Sequence, residues 1–145
     1  MLRTAALALM LTATPALADF ERRQTDKSVA EAMDALEAAV RAAGATVFAR
    51  VDHAEGARSV DMELADAGVL IFGNPELGTP AMRADIRAGL VLPLRMLVYA
   101  GQDGKAVIFW EEPEEIFDDF DVKDDDDIVE AMEDALEALA AKAAE

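Results

Sequence analysis

Between Ser28 and Ala43, Val29, Met33, Leu36 and Val40 recur at steps of four, three and four, with Glu31, Asp34, Glu37 and Arg41 among the positions between them. That spacing puts the apolar four on one face and predicts an amphipathic helix. Ser28 followed three residues later by Glu31 is a capping box, Glu37 and Arg41 can pair one turn apart, and Gly44 is a C-terminal stop. Thr46 to Asp52, with Val47, Phe48 and Val51, predicts a strand. Asp52-His53-Ala54-Glu55 repeats the cap-then-acid spacing and predicts a short helical turn. Val69-Leu70-Ile71-Phe72 is a compact apolar run that predicts a buried strand ended by Gly73-Asn74-Pro75.

Farther on, Thr79-Pro80 predicts an N-cap and first helical residue, with Gly89 closing a helix of about nine residues. Leu94–Tyr99 and Lys105–Trp110 flank Gly101-Gln102-Asp103-Gly104, the best hairpin signal in the chain. Ile128, Met132, Leu136 and Leu139 mark a final amphipathic helix, and Phe20 to Thr25 alternates weakly, as a short edge strand would. The order β-α-β-β-α-β-β-α predicts an α+β fold: a mostly antiparallel sheet of about five strands with helices on one face. No repeat or low-complexity linker divides the chain, and 145 residues suit one domain.

The first residues read differently. Arg3, the apolar run Ala5–Thr12, Pro15 and the small residues of Ala16-Leu17-Ala18 have the three-part layout of a signal peptide. The apolar run is shorter than the roughly 20 residues a membrane span needs. Residues 1–18 are therefore expected to be a signal peptide and 19–145 one domain, periplasmic or secreted, with no membrane span after cleavage.

Composition narrows the chemistry. There is no Cys, which removes disulfides, thiolate nucleophiles and cysteine-ligated metal sites. The net charge is −17, but residues 111–145 hold 16 acids against Lys123 and Lys142, while residues 19–110 hold 14 acids and 10 bases. The body is nearly balanced and the acidity belongs to the C-terminal segment, about 111–145. Such a chain repels phosphate backbones, so nucleic acid is not an expected partner.

Several segments carry a family resemblance. Phe48-Ala49-Arg50-Val51-Asp52-His53-Ala54-Glu55-Gly56-Ala57, Leu70-Ile71-Phe72-Gly73-Asn74-Pro75, Gly78-Thr79-Pro80 and Leu90-Val91-Leu92-Pro93-Leu94-Arg95 follow one another in the order found in the domain of unknown function 302 family. Asp103-Gly104-Lys105 and Pro113 also sit where that family has them. The chain resembles that family from about Ser28 to Pro113. The resemblance implies an α+β layer fold similar to the TATA-binding-protein-like group, and no activity. Many members carry a His-Gly pair after the position of Pro113, where this chain has Phe120-Asp121-Val122.

His53 is the only histidine and stands beside Asp52 and Glu55, so it is the one catalytic candidate, and Asp52, His53 and Glu55 are ligand-binding candidates. The simpler reading is that Asp52 caps a helical turn whose first position His53 fills. No local hydroxyl supplies a nucleophile, and no second histidine supplies a metal ligand. Gly73, Asn74 and Thr79 belong to a Gly/Pro-rich loop leading into a helix, where amides can hold a small anion; the Gly spacing and Lys of a phosphate loop are missing. Met33, Met62, Met82, Met96 and Met132 do not cluster in sequence and read as core filling rather than copper ligands. Asp118 to Asp127 holds seven acids in ten residues, and Asp119, Asp121, Asp124 and Asp125 are weak metal candidates. Counted from Asp119, the sixth position is Asp124 rather than the Gly of a calcium loop.

No cofactor motif is present, so none is expected. The leading expectation is a non-enzymatic module binding a small ligand, a metal or a protein. The alternatives are a hydrolase or isomerase using His53 with Asp52 or Glu55, and a structural subunit of an envelope assembly. Trp110, Tyr99 and Phe109, alternating along the hairpin, suggest a free sheet face and a homodimer.

Overall fold

The computed structural model describes residues 20–124 and 126–145; the leader expected over residues 1–18 lies outside them. Five strands, β1 (Phe20–Gln24), β2 (Thr46–Asp52), β3 (Ala67–Gly73), β4 (Leu94–Ala100) and β5 (Ala106–Glu111), form one sheet. Its order is β1-β5-β4-β3-β2, and every neighbouring pair is antiparallel. The helices are α1 (Val29–Ala42), α2 (His53–Arg58), α3 (Pro75–Ala84), α4 (Pro113–Ile116) and α5 (Asp126–Ala144), with 3-10 turns at Ile86–Leu90 and Asp121–Asp124. The class is α+β, as the hydrophobic pattern predicts.

α1 is built as its sequence dictates. The Ser28 hydroxyl accepts from the Glu31 N–H at 3.3 Å and the Glu31 carboxylate accepts from the Ser28 N–H at 2.9 Å, so two otherwise unpaired donors are satisfied. Gly44 ends the helix at φ +78°, a conformation that favours glycine. The β4–β5 hairpin closes through Gly101 N–H to the Lys105 carbonyl at 2.7 Å, with Gly104 also at φ +78°.

Successive residues along each strand go to opposite faces, so residues two apart share one. Leu70, Phe72, Met96, Val98, Ile108 and Trp110 point to one side and are buried there with Met33, Leu36 and Val40 of α1 and Met132, Leu136 and Ala140 of α5. Each of the large side chains among them removes enough apolar surface from water to contribute about 1.5–3 kcal/mol. The intervening residues Val69, Ile71, Leu97, Tyr99 and Phe109 stay half-exposed and stand outside that core. β1 is tied to the helical layer at its far end, where the buried Thr25 donates its hydroxyl to the Ala144 carbonyl at 3.1 Å.

Two expectations need correction. The second long helix begins at Pro75, not Pro80: Asn74 is its N-cap and accepts from the Glu76 N–H at 2.9 Å, and Pro80 lies inside it. Asn74-Pro75 and Thr79-Pro80 are both cap-and-proline start signals, and Asn is the stronger N-cap of the two. The helix then ends at Ala84, and Asp85 starts a separate 3-10 turn that includes Gly89. Trp110, expected on the free face with Tyr99 and Phe109, is only 4% exposed beneath the helices. Adjacent strand residues cannot share a face, so only Tyr99 and Phe109 lie on the free side.

Candidate functional site

An open cleft of about 600 Å³ lies on the helical side of the sheet. Its floor is the end of β3, Phe72-Gly73, and its walls come from α1, α3, α5 and the Leu92-Pro93-Leu94 segment. The volume falls in the range of small-molecule sites, roughly 300–1,000 Å³.

Local sequence explains why the space is open. Where α1 and α5 border it, Ala39, Ala42, the C-cap Ala43, Ala135 and Ala138 contribute only methyl groups to the lining. β2 carries a bulge between Val47 and Ala49 that leaves Phe48 without a partner on β3, and a bulge re-aims a side chain. Phe48 accordingly lines the cleft while remaining 59% exposed. Gly73 lies beside that ring: a Cβ there would stand 3.4 Å from Phe48 Cε2 and 3.5 Å from Pro93 Cβ, ordinary contact distances. The Leu92–Pro93 peptide bond is cis.

The cleft is chemically simple. Among its lining side chains only Asn74, Thr79 and Lys142 are polar. Asn74 already accepts from the Glu76 N–H, and Lys142 is ion-paired with Glu145. Just behind α3, Asp85 anchors the 3-10 turn. Its carboxylate accepts from the Arg87 N–H and Nε at 2.9 Å each and pairs with the Arg87 guanidinium at 2.5 Å. Hydrogen bonding to Arg87 holds the Asp85 carboxyl down at about 2. Gly89 of this turn lies close to the cleft residue Met82, whose Cε would stand 3.0 Å from a Cβ at that position.

The structure separates the candidate residues into two groups. Gly73, Asn74 and Thr79 border the cleft together. Asp52, His53 and Glu55 sit at the opposite end of the sheet: Gly73 pairs with Thr46, whereas Asp52 pairs with Gly68, five residues or roughly 17 Å away along β3. His53 is exposed at the first position of α2. Asp52 caps that helix, accepting from the Glu55 N–H at 2.8 Å, and lies 3.9 Å from Arg58. A second hollow of about 160 Å³ borders Asp52, Arg50 and Asp66, and His53 is not part of its lining.

Among the described residues no group of three or more His, Cys, Asp or Glu side chains is placed to hold a metal ion. Asp119 and Asp121 are exposed; Asp125 and the side chain of Asp124 lie outside the described residues. Met33, Met96 and Met132 are buried in the core, Met82 lines the cleft and Met62 is exposed. Sequence reasoning missed Phe48, Leu77, Leu92 and the α5 residues as cleft components. The one available signal was the run of alanines on the predicted C-terminal helix and at the end of α1.

Residues 21–142 match the family described as Domain of unknown function DUF302. The chain belongs to that family. Its fold is also that of the crystal structure of the uncharacterized conserved protein DUF302 from Bacillus stearothermophilus, with a TM-score of 0.77 at 17% identity over 86% of this chain and 97% of that one. Two proteins named fluoride-specific ion channel FluC 1, from Brucella suis biovar 1 (strain 1330) and Brucella abortus biovar 1 (strain 9-941), are 37% identical to this chain over 86 residues. That stretch is 59% of this chain but only 34% and 32% of those proteins, so the chain spans about a third of their length. No helix in the described residues is long and apolar enough to cross a membrane.

Proposed function

We propose that this DUF302 chain is a non-enzymatic binding module that holds a small, uncharged and mainly apolar molecule in the cleft between α1, α3, α5 and the end of β3. The observation that carries the reading is the cleft itself: about 600 Å³ bordered almost wholly by apolar side chains, with its one lining cation already paired to Glu145. Burial of ligand surface supplies the affinity there, and Asn74 and Thr79 supply orientation at one end. An anionic ligand is disfavoured, because α5 also carries Glu130, Glu133, Asp134 and Glu137.

The test is a fluorescence titration with the neutral probe N-phenyl-1-naphthylamine. Saturable binding is expected, weakened at least tenfold by Ala135→Phe, which fills the cleft. Absence of saturable binding to the parent chain overturns the reading. His53→Ala is expected to leave binding unchanged.

The hydrolase or isomerase alternative rests on His53 with Asp52 or Glu55, and exposed side chains at the sheet end far from the cleft give it less support. The partial match to proteins named as ion channels favours a second reading: a domain of this kind working beside a membrane protein in the envelope, exported through residues 1–18. N-terminal sequencing of the periplasmic product tests the export, with Asp19 as the expected first residue.

A further inference from the structure

The sheet has two free edges and one free face, and they are not equally protected. The β1 edge is five residues long and carries Glu21, Arg22 and Arg23, while the β2 edge is broken by the bulge at Phe48. Short length, charge and bulges are what keep an edge from pairing with another chain. The face away from α1 and α5 has no such defence. Register places Phe109, Leu97 and Val69 side by side across β5, β4 and β3, with Tyr99 and Ile71 in the rows on either side. Phe20 of β1 stacks on Phe109 with ring centroids 5.1 Å apart, and Tyr99 meets Phe109 edge-on at 6.3 Å. Phe20 remains 36% exposed and Val51, on the same face of β2, 39%.

We infer that this face is the contact between two copies of the chain. Size supports a second copy: five strands about 4.8 Å apart and five to seven residues long span roughly 450 Å² in projection. Side-chain relief raises the accessible area toward the ~800 Å² per partner of a standard interface. Charge supports it as well. The charged side chains among these rows are Arg22, Arg95 and Glu111, and the last two already face each other at 3.6 Å. The strongly acidic segment 111–145 lies instead largely in the helical layer, with α5, on the other side of the sheet. Two copies stacked face to face therefore keep their acidic helices on the outside and bring a near-neutral apolar surface together, a closed two-fold arrangement of two sheets about 10 Å apart. This contact is independent of the cleft, which opens on the helical side.

Sedimentation equilibrium of the purified chain at 5–100 µM tests the inference. A dimer is expected, and Leu97→Glu is expected to convert it to monomer without loss of helical circular dichroism. Val51→Lys, at an exposed edge position on the same face, is the second variant and should weaken the dimer at least tenfold by raising the like charge on each face from +1 to +2. A monomer at 100 µM overturns the inference. So does a dimer that neither variant weakens, because the contact then lies elsewhere.

Discussion

The two faces of this one sheet have similar apolar content and opposite fates. Leu70, Met96, Val98 and Ile108 on one face are fully buried, whereas Val69, Leu97, Tyr99 and Phe109, one residue away on the same strands, are only half-covered. The difference lies in what each face meets. α1 and α5 bring apolar stripes to the first face and close over it except where their alanines leave the cleft. Apolar alternation therefore specifies that a strand is amphipathic or buried on both sides; it does not specify which partner supplies the burial.

The largest break in this comparison is expected from equal deletions on the two faces. Leu36→Ala, in the helix-covered core, should cost about 2–5 kcal/mol in urea unfolding, whereas Leu97→Ala should cost less than half as much for the isolated chain. A matching loss at Leu97 at low protein concentration would mean that the free face is packed as tightly as the core. Ser28→Ala removes one half of the α1 capping box and should cost about 1 kcal/mol in the same measurement.

Two carboxyl groups sharpen the electrostatics of the helical side. Asp85 is held at about 2 against an ordinary value of 3.8. A depressed carboxyl stabilises the fold in full above its ordinary value and loses that contribution as pH falls from about 4 to about 2. Asp85→Asn should therefore lower the Tm at pH 6 by a few degrees, with the gap to the parent closing toward pH 2. Glu112 is shifted the other way: burial, then its contacts with Glu21 and the charges of Glu133 and Glu114, push its carboxyl up. Its ionisation weakens the fold as pH rises through that raised value, so Glu112→Gln should raise the Tm slightly at pH 7 and leave it unchanged at pH 3. An unchanged Tm at pH 7 would show that the acidic seam between β1, α4 and α5 is fully solvated.

Legibility followed the range of the forces involved. The α1 cap, the β2 span, the α2 turn and the hairpin were all readable because each is fixed by residues within a few positions of one another. The start of α3 was misplaced because two cap-and-proline signals stand five residues apart and only one can lead. Half of the candidate site was legible: Gly73, Asn74 and Thr79 stood out as a loop before a helix and do border the cleft. Asp52, His53 and Glu55 drew attention as a charged cluster, but the antiparallel pairing of β2 with β3 carries them to the other end. Phe48 and Leu136 carried no warning, since nothing local says that residues nearly ninety positions apart will border one cleft.

The sequence by itself determined most of the element types, the family, the α+β class and the concentration of charge in the last 35 residues. These follow from side-chain period, backbone-specific residues and composition, all of them local. Only the tertiary structure decided which face of each strand is covered, that Trp110 lies inside while Phe109 lies outside, and that alanines of α1 and α5 border one cleft. Those are outcomes of long-range register, and one residue of shift would have exchanged the two faces.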